Sequence, residues 1–348
     1  MKVSQGKSKT HLFLACFVVA AIAVSIFSGC SSSSSGSSKA LTKVNLQIKW
    51  LPQSQFMGYY VAQQKGYFKQ EGLDVNIISG GSDIIPEQQV NNGVANIGVT
   101  WTSSLMKYQE KGWNLKEISQ TFQKSGMLLV SKKSSNINSV ADLKGKKVSS
   151  WFGGNEYELY ALLGKNNLNK DKDVTLVQQD FTMNQLISGQ VNAAQAMTYN
   201  EYGLLLENGL KDSDINTIDM NNAGVAMLED CLFVKSDWAS KNKETLVKFL
   251  KAANKGWADA CDDPDSAGSY IYTKNKSVSL AHQKYMAEQV AKLVETSDID
   301  ESKIGYMDNG KIQQTADLGL KYGLLSKAID VSKVYDTTYW KEATENNS

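Results

Sequence analysis

Val44-Asn-Leu-Gln-Ile-Lys-Trp50-Leu-Pro52-Gln-Ser-Gln-Phe-Met-Gly-Tyr59-Tyr-Val-Ala-Gln-Gln-Lys-Gly66-Tyr-Phe-Lys-Gln-Glu-Gly72-Leu-Asp-Val75 holds one strand, one helix and the start of a second strand. Val44, Leu46, Ile48 and Trp50 alternate with polar residues, the period-two pattern of a half-buried strand. Pro52 stops that strand. Gln55 to Lys65 has helical character and ends at Gly66, and Leu73 to Ile78 reads as the second strand. Ser79-Gly-Gly-Ser82 is a turn. Pro86 to Asn92 suits a short helix with proline in its first turn. Gly93 closes it, and Ile97 to Thr100 is a third strand. Strands alternating with helices predict a largely parallel α/β sheet.

The same punctuation recurs. Gly93-Val-Ala-Asn96 leads to Thr100-Trp101, and Gly189-Gln-Val-Asn192 leads to Thr198-Tyr199. In each, a helix end is followed by glycine, a strand, a threonine and an aromatic ring, which predicts one copy in each of two similar lobes. Between the copies, Leu128 to Ser131 reads as a strand leaving the first lobe. Leu232-Phe233-Val234 reads as a strand leading back to it. A long helix is expected from about Lys243 to Cys261, with Leu246, Phe249, Leu250, Ala253 and Trp257 as its buried stripe.

Three blocks carry a resemblance to a known family. Trp50 to Val75, Gln89 to Gly98 and Thr198-Tyr-Asn-Glu201 resemble segments of the NMT1/THI5-like, SsuA-like solute-binding proteins. Asn138 to Lys146 resembles the segment that opens the second lobe in many binding proteins. The resemblance implies an α/β, two-lobe, periplasmic-binding-protein-like fold of the type II "Venus flytrap" kind with two crossover strands. It also implies an ABC permease and its ATPase as partners. The lobes are expected at 43–130 plus 233–330 and at 131–232, with a C-terminal tail at 331–348. A monomer is expected.

The N-terminus bears on destination. Lys2, Lys7 and Lys9 precede an apolar run from Leu12 to Phe27. That run is shorter than the roughly 20 residues a bilayer span requires, so residues 1–29 read as a secretory signal peptide. Phe27-Ser-Gly-Cys30 resembles a bacterial lipobox, with Phe27 where leucine is usual. Cys30 is therefore the expected lipidation site, and residues 30–42 form a serine-rich tether. The expected location is the extracytoplasmic face of the cell membrane, held there through the lipid alone.

Composition narrows the function. The 37 basic residues are all lysine, and 36 residues are acidic. Nucleic-acid binding would need a basic face and is not expected. Arginine is the usual bidentate clamp for sulfonates, phosphates and carboxylates, so its absence disfavours those ligands. Cys16 falls in the signal peptide. Cys231 and Cys261 are expected as free, mostly buried thiols. His282 is the one histidine beyond the signal peptide. It reads as a surface residue of a helix, and neither a metal site nor a histidine triad is expected. No cofactor is expected.

Ligands of open α/β sheets bind beyond the carboxyl ends of the strands. Trp50, Trp101, Trp151, Phe152 and Tyr199 each follow such an end, two positions in each lobe, and together suit a stacking clamp for a flat ring. Gln53, Gln55, Asn155 and Asn200 both donate and accept hydrogen bonds, which suits amide-like ring edges. Glu156, Glu201 and Asp230 are candidate acceptors for ring amines or ribityl hydroxyls. Tyr59, Ser82 and Thr100 complete the candidate set.

The expected ligand is a small aromatic, vitamin-type heterocycle. Within the family, Ser79 to Pro86, Trp151 to Glu156 and Ala226 to Asp230 are most similar to the riboflavin-type branch. The thiamine pyrimidine precursor, formylaminopyrimidine, is the alternative, and an alkanesulfonate a weaker one. Eukaryotic relatives make the thiamine pyrimidine by consuming an active-site histidine beside a cysteine-rich motif. This chain lacks that motif, so an enzyme is not expected.

Overall fold

The computed structural model describes residues 40–152 and 154–345. The segment expected as a signal peptide, the expected lipidation site Cys30 and nearly all of the expected tether lie outside the described residues. The described residues form one compact unit. Its strands are β1 (Thr42–Gln47), β2 (Leu73–Ile78), β3 (Ile97–Thr100), β4 (Leu115–Gln120), β5 (Met127–Lys132), β6 (Lys147–Ser150), β7 (Thr175–Gln178), β8 (Ala193–Met197), β9 (Ile215–Asp219) and β10 (Cys231–Lys235). The early helices are α1 (Met57–Gln64), α2 (Tyr67–Gln70), α3 (Pro86–Asn91), α4 (Thr102–Glu110), α5 (Tyr157–Lys165), α6 (Asn184–Ile187) and α7 (Glu201–Glu207). Then come α8 (Ser236–Lys241), α9 (Lys243–Asp262), α10 (Pro264–Lys274), α11 (Leu280–Val294), α12 (Asn309–Lys321) and α13 (Thr338–Glu345).

The strands form two five-stranded sheets, ordered β2-β1-β3-β10-β4 and β7-β6-β8-β5-β9. Each sheet has three parallel strands followed by two antiparallel pairings. The orders superpose position by position, so β1 matches β6 and β3 matches β8. The sequence repeat is therefore structural. Asn96 accepts a hydrogen bond from the backbone of Asn45 in β1 at 2.8 Å. Asn192 accepts the matching bond from Lys147 in β6 at 2.9 Å. One asparagine thus ties each third strand to its first.

The second sheet is built from the consecutive strands β5 to β9, whereas the first takes β10 from beyond them. The chain therefore crosses between the lobes twice, at 121–126 and at 220–230. The backbone N–H groups of Thr121 and Phe122 both donate to the Asp230 carbonyl, so the crossings lie side by side. Phe122 meets Tyr199 of the second lobe edge-on at 5.9 Å and Trp257 of α9 at 6.4 Å, which makes the apolar core continuous through the junction. The expected two-lobe α/β architecture is the one observed.

α9 packs chiefly on α1 and α13 and touches the first sheet at β2, and the five stripe residues expected for it are all buried. Full burial of each Leu or Phe there contributes roughly 1.5–3 kcal/mol. The close crossing of α1 on α9 depends on two glycines. A Cβ at Gly58 would meet the Trp257 indole at 2.1 Å, and one at Gly256 would meet the Gly58 carbonyl at 2.3 Å.

Two expectations are corrected here. The first strand was read as far as Trp50 but ends at Gln47, because the chain must leave the sheet to turn into the cleft. The segment read as a tail, 331–348, is folded as far as Glu345. Glu117 of β4 exchanges backbone hydrogen bonds with Val334 and Asp336, and Tyr339 and Ala343 of α13 are buried against α9. The later helices also reach past the first lobe. α11 touches both the 54–56 turn and α7, and α12 touches both α4 and α5.

Candidate functional site

The carboxyl ends of β1, β3, β6 and β8 face a cleft of about 440 Å³ between the lobes. Such strand ends are where open sheets leave room for a ligand, because the following loops diverge. Trp50, Gln53, Gln55, Ser82, Thr100 and Trp101 line it from the first lobe. Trp151, Phe152, Asn155, Tyr199, Asn200 and Glu201 line it from the second. The repeat thus brings two matched pairs together: Trp50 with Trp151, and Trp101 with Tyr199.

Three expected residues do not line it. Tyr59 is buried in α1, its hydroxyl 3.0 Å from the Thr121 hydroxyl and its ring edge-on to Trp257. It belongs to the core because α1 turns that face toward α9. Glu156 folds back on its own loop, accepting from the Gly154 amide at 2.7 Å. Asp230 lies one layer beneath the cleft floor. Its carboxylate accepts from Gln55 Nε2 at 2.8 Å and from Trp101 Nε1 at 3.0 Å. Protein donors, not a ligand, therefore satisfy it, and Gln53 extends the chain by donating to Gln55 Oε1 at 2.7 Å.

The rings do not all present faces to the space. Trp101 is only 6% exposed. The Lys49 ammonium sits 4.5 Å from its ring centroid and takes one face. Trp151 is held by its Nε1 donating to the Asp180 carbonyl at 2.8 Å. Of the rings expected to form a stacking clamp, Trp101, Trp151 and Tyr199 are therefore largely buried. Large aromatic groups gain most by burial, so Trp101, Trp151 and Tyr199 are set into the cleft wall. Of the expected rings, Trp50 and Phe152 remain open. Phe181, which the sequence reading missed, is 56% exposed and lies 4.7 Å from Trp50, joining the lobes at the mouth of the cleft. It follows β7 by three residues, so the rule of aromatic rings after strand ends could have found it. Ile84, Ile85, Tyr108 and Met197 add apolar lining.

The charged lining is uneven. Among the described residues, Lys49 is its one cation, while Glu87 and Glu201 are its acids. Glu87 accepts from Thr100 Oγ1 at 2.6 Å. Glu201 accepts from the Met197 amide at 3.0 Å and from Asn200 Nδ2 at 2.7 Å. Burial pushes Glu201 up to about 7. Burial also pushes Asp230 up to about 6, against the pull of Gln55 and Lys49. Burial raises the Tyr199 phenol well above its ordinary value.

The expectation for His282 is also corrected. It is 2% exposed, not a surface residue, and its ring nitrogens face Glu207 and Asn200. Cys231 and Cys261 are free, as expected. Among the described residues, no cluster of three or more His, Cys, Asp or Glu side chains is arranged to hold a metal ion. No helix among the described residues is long and apolar enough to cross a membrane.

Comparison with known proteins places this geometry in context. The chain is 25% identical over 311 residues to the riboflavin-binding protein RibY of Chloroflexus aurantiacus, an alignment covering 86% of each chain. It is 22% identical over 294 residues to the formylaminopyrimidine-binding protein of Halalkalibacterium halodurans, covering 82% of this chain and 87% of that one. The periplasmic aliphatic sulphonate binding protein SsuA of Escherichia coli superposes with a TM-score of 0.68 at 16% identity, covering 86% of this chain and 93% of that one. That likeness establishes the periplasmic-binding-protein fold. The model of the NMT1/THI5-like family matches residues 53–267, more than half of the chain, and the chain belongs to that family.

Proposed function

We propose that this protein is the solute-binding component of an ABC importer and captures a flat aromatic heterocycle, with riboflavin as the first choice. The observation that carries the reading is the pair of open rings, Trp50 and Phe181, brought together from opposite lobes over a cleft whose lining holds a single lysine and no arginine. Offset stacking favours such rings for flat ligands. An alkanesulfonate would instead seek guanidinium or clustered cationic partners. The cleft volume falls within the range of about 300–1,000 Å³ usual for small-molecule sites. Glutamine and asparagine amides around the rings would fix the orientation of a polar ring edge.

The ligand would bridge both lobes, so the closed form is the one it stabilises, and the permease would recognise that form. Binding needs no covalent step. Among the described residues, the one histidine is buried behind Asn200 and does not itself line the cleft, and neither free cysteine lines it. This weighs against the histidine-consuming synthases of the family. Export, lipidation at Cys30 and a monomeric state belong to the same reading.

Formylaminopyrimidine is the second reading, favoured by the relative that binds it and by the same paired donors and acceptors. A thermal-shift panel of riboflavin, formylaminopyrimidine, thiamine and taurine decides between them. A ligand at 100 times its dissociation constant stabilises the folded state by about 2.7 kcal/mol, a shift of a few degrees for a chain of this size. Riboflavin is expected to give the largest shift, with an absorbance band near ~450 nm carried through gel filtration. A shift with taurine alone would overturn the aromatic reading.

A further inference from the structure

We propose that His282, although outside the cleft, is a positioning residue that fixes the amide of Asn200 so that one donor and one acceptor point at the ligand. The inference rests on the binding reading above and specifies what edge the ligand carries. His282 sits in the first turn of α11, its backbone amide capped by the Ser279 hydroxyl at 3.0 Å. The ring is sandwiched between two groups of the second lobe. Nδ1 lies 2.9 Å from Glu207 Oε1 and Nε2 lies 2.8 Å from Asn200 Oδ1. Asn200 Nδ2 in turn donates to Glu201 Oε1 at 2.7 Å.

Asn200 occupies the N-cap of α7, where an asparagine side chain ordinarily accepts from the backbone two or three residues on. It makes no such bond here. The side chain is turned instead between His282 and Glu201, at the wall of the cleft. A carboxamide has two N–H donors and two acceptor lone pairs. With His282 Nε2 as the donor, one of each is used by the protein. The N–H and the lone pair that remain are held in one plane, the arrangement that recognises a ring edge with an acceptor beside a donor. Imides, lactams and aminopyrimidines all carry such an edge, and sulfonates do not. Without the imidazole the amide would be free to turn about its last torsion, and the two groups would exchange places.

The test is a mutant cycle read by equilibrium binding of riboflavin and of formylaminopyrimidine to the whole mature protein. N200A is expected to weaken binding about tenfold, the loss of one net hydrogen bond. H282N retains a group near Glu207 but does not reach Asn200, and should weaken binding to a similar degree. H282Q places an amide near the position of Nε2 and should restore most of the affinity. In an N200A background, H282N should have no further effect on binding, although it still lowers the melting temperature. Wild-type affinity in H282N would show that His282 acts only on stability, and losses that add in the double variant would show that it acts on binding independently of Asn200; either overturns the proposal. Should H282N fail to fold, E207Q serves, because Glu207 is partly exposed. About a twofold loss that vanishes in N200A supports the proposal, and no loss or an equal loss in both backgrounds overturns it. If the wild-type protein takes up neither probe, the binding reading falls and this inference falls with it. Normal uptake with an indifferent His282 removes the inference alone.

Discussion

Trp50 and Trp101 both follow a strand end, yet they meet the cleft in different ways. Trp101 is anchored on three sides, by burial, by Asp230 at its Nε1 and by Lys49 over its face. It serves as wall. Trp50 is only partly buried and rests on Phe181. Trp50→Ala is therefore expected to leave the melting temperature nearly unchanged and to weaken riboflavin binding about tenfold, in line with roughly 1–3 kcal/mol for stacking of a base on an aromatic ring. Quenching of intrinsic fluorescence on titration would measure it, and unchanged affinity would remove the stacking reading. The sequence identified Trp50 by position alone. It gave no sign that Trp101 would be sealed, because the groups that seal it lie just before β10 and just beyond β1.

At the scale of elements, the crossing of α1 over α9 sets how closely the 53–56 turn approaches the cleft. Gly58 faces the Trp257 indole with no room for a methyl group. Gly58→Ala forces either the indole or α1 to move, and overpacking of this kind typically costs about 1–3 kcal/mol. Urea unfolding should show a lower midpoint with an unchanged slope. A midpoint equal to that of the wild type would mean that the two helices slide freely. The buried stripe of α9 was legible in its 3.6-residue period. The need for Gly58 was not, since a glycine in a helix looks the same whether it is tolerated or required.

The whole molecule carries an unusual number of buried carboxyl groups near its junction. Glu158 of α5 accepts from Met227 N and Ser125 Oγ, and Glu229 of the second crossing accepts from the same Ser125 hydroxyl and from Gly126 N. Burial pushes Glu158 up to about 8 and Glu229 well above its ordinary value. Burial likewise pushes Glu117 to about 8, Glu201 to about 7 and Asp230 to about 6. In each case the folded state holds its proton more tightly than the unfolded chain does. The associated stability is complete below pH about 4 and is lost progressively as the pH rises to about 8. The melting temperature should therefore fall between pH 5 and pH 9, and Glu158→Gln should flatten that fall. A protein equally stable at both values would show that these carboxyls are ionised in the fold.

The sequence by itself determined most of the strands, though not β4, β7 or β9, and also the long helix, the repeat and the two-lobe α/β plan, because each rests on local periodicity and on turn residues that act within a few positions. It also identified most of the cleft lining, since a residue after a parallel strand is carried to the same edge whatever lies beyond. Tertiary structure alone decided which side chains face space and which face protein. Tyr59 went to the core, Asp230 went beneath the floor, and His282 was drawn inward to partners on α7. Those outcomes depend on hydrogen-bond partners dozens to hundreds of residues distant, and burial of a polar group is settled by whether such a partner arrives.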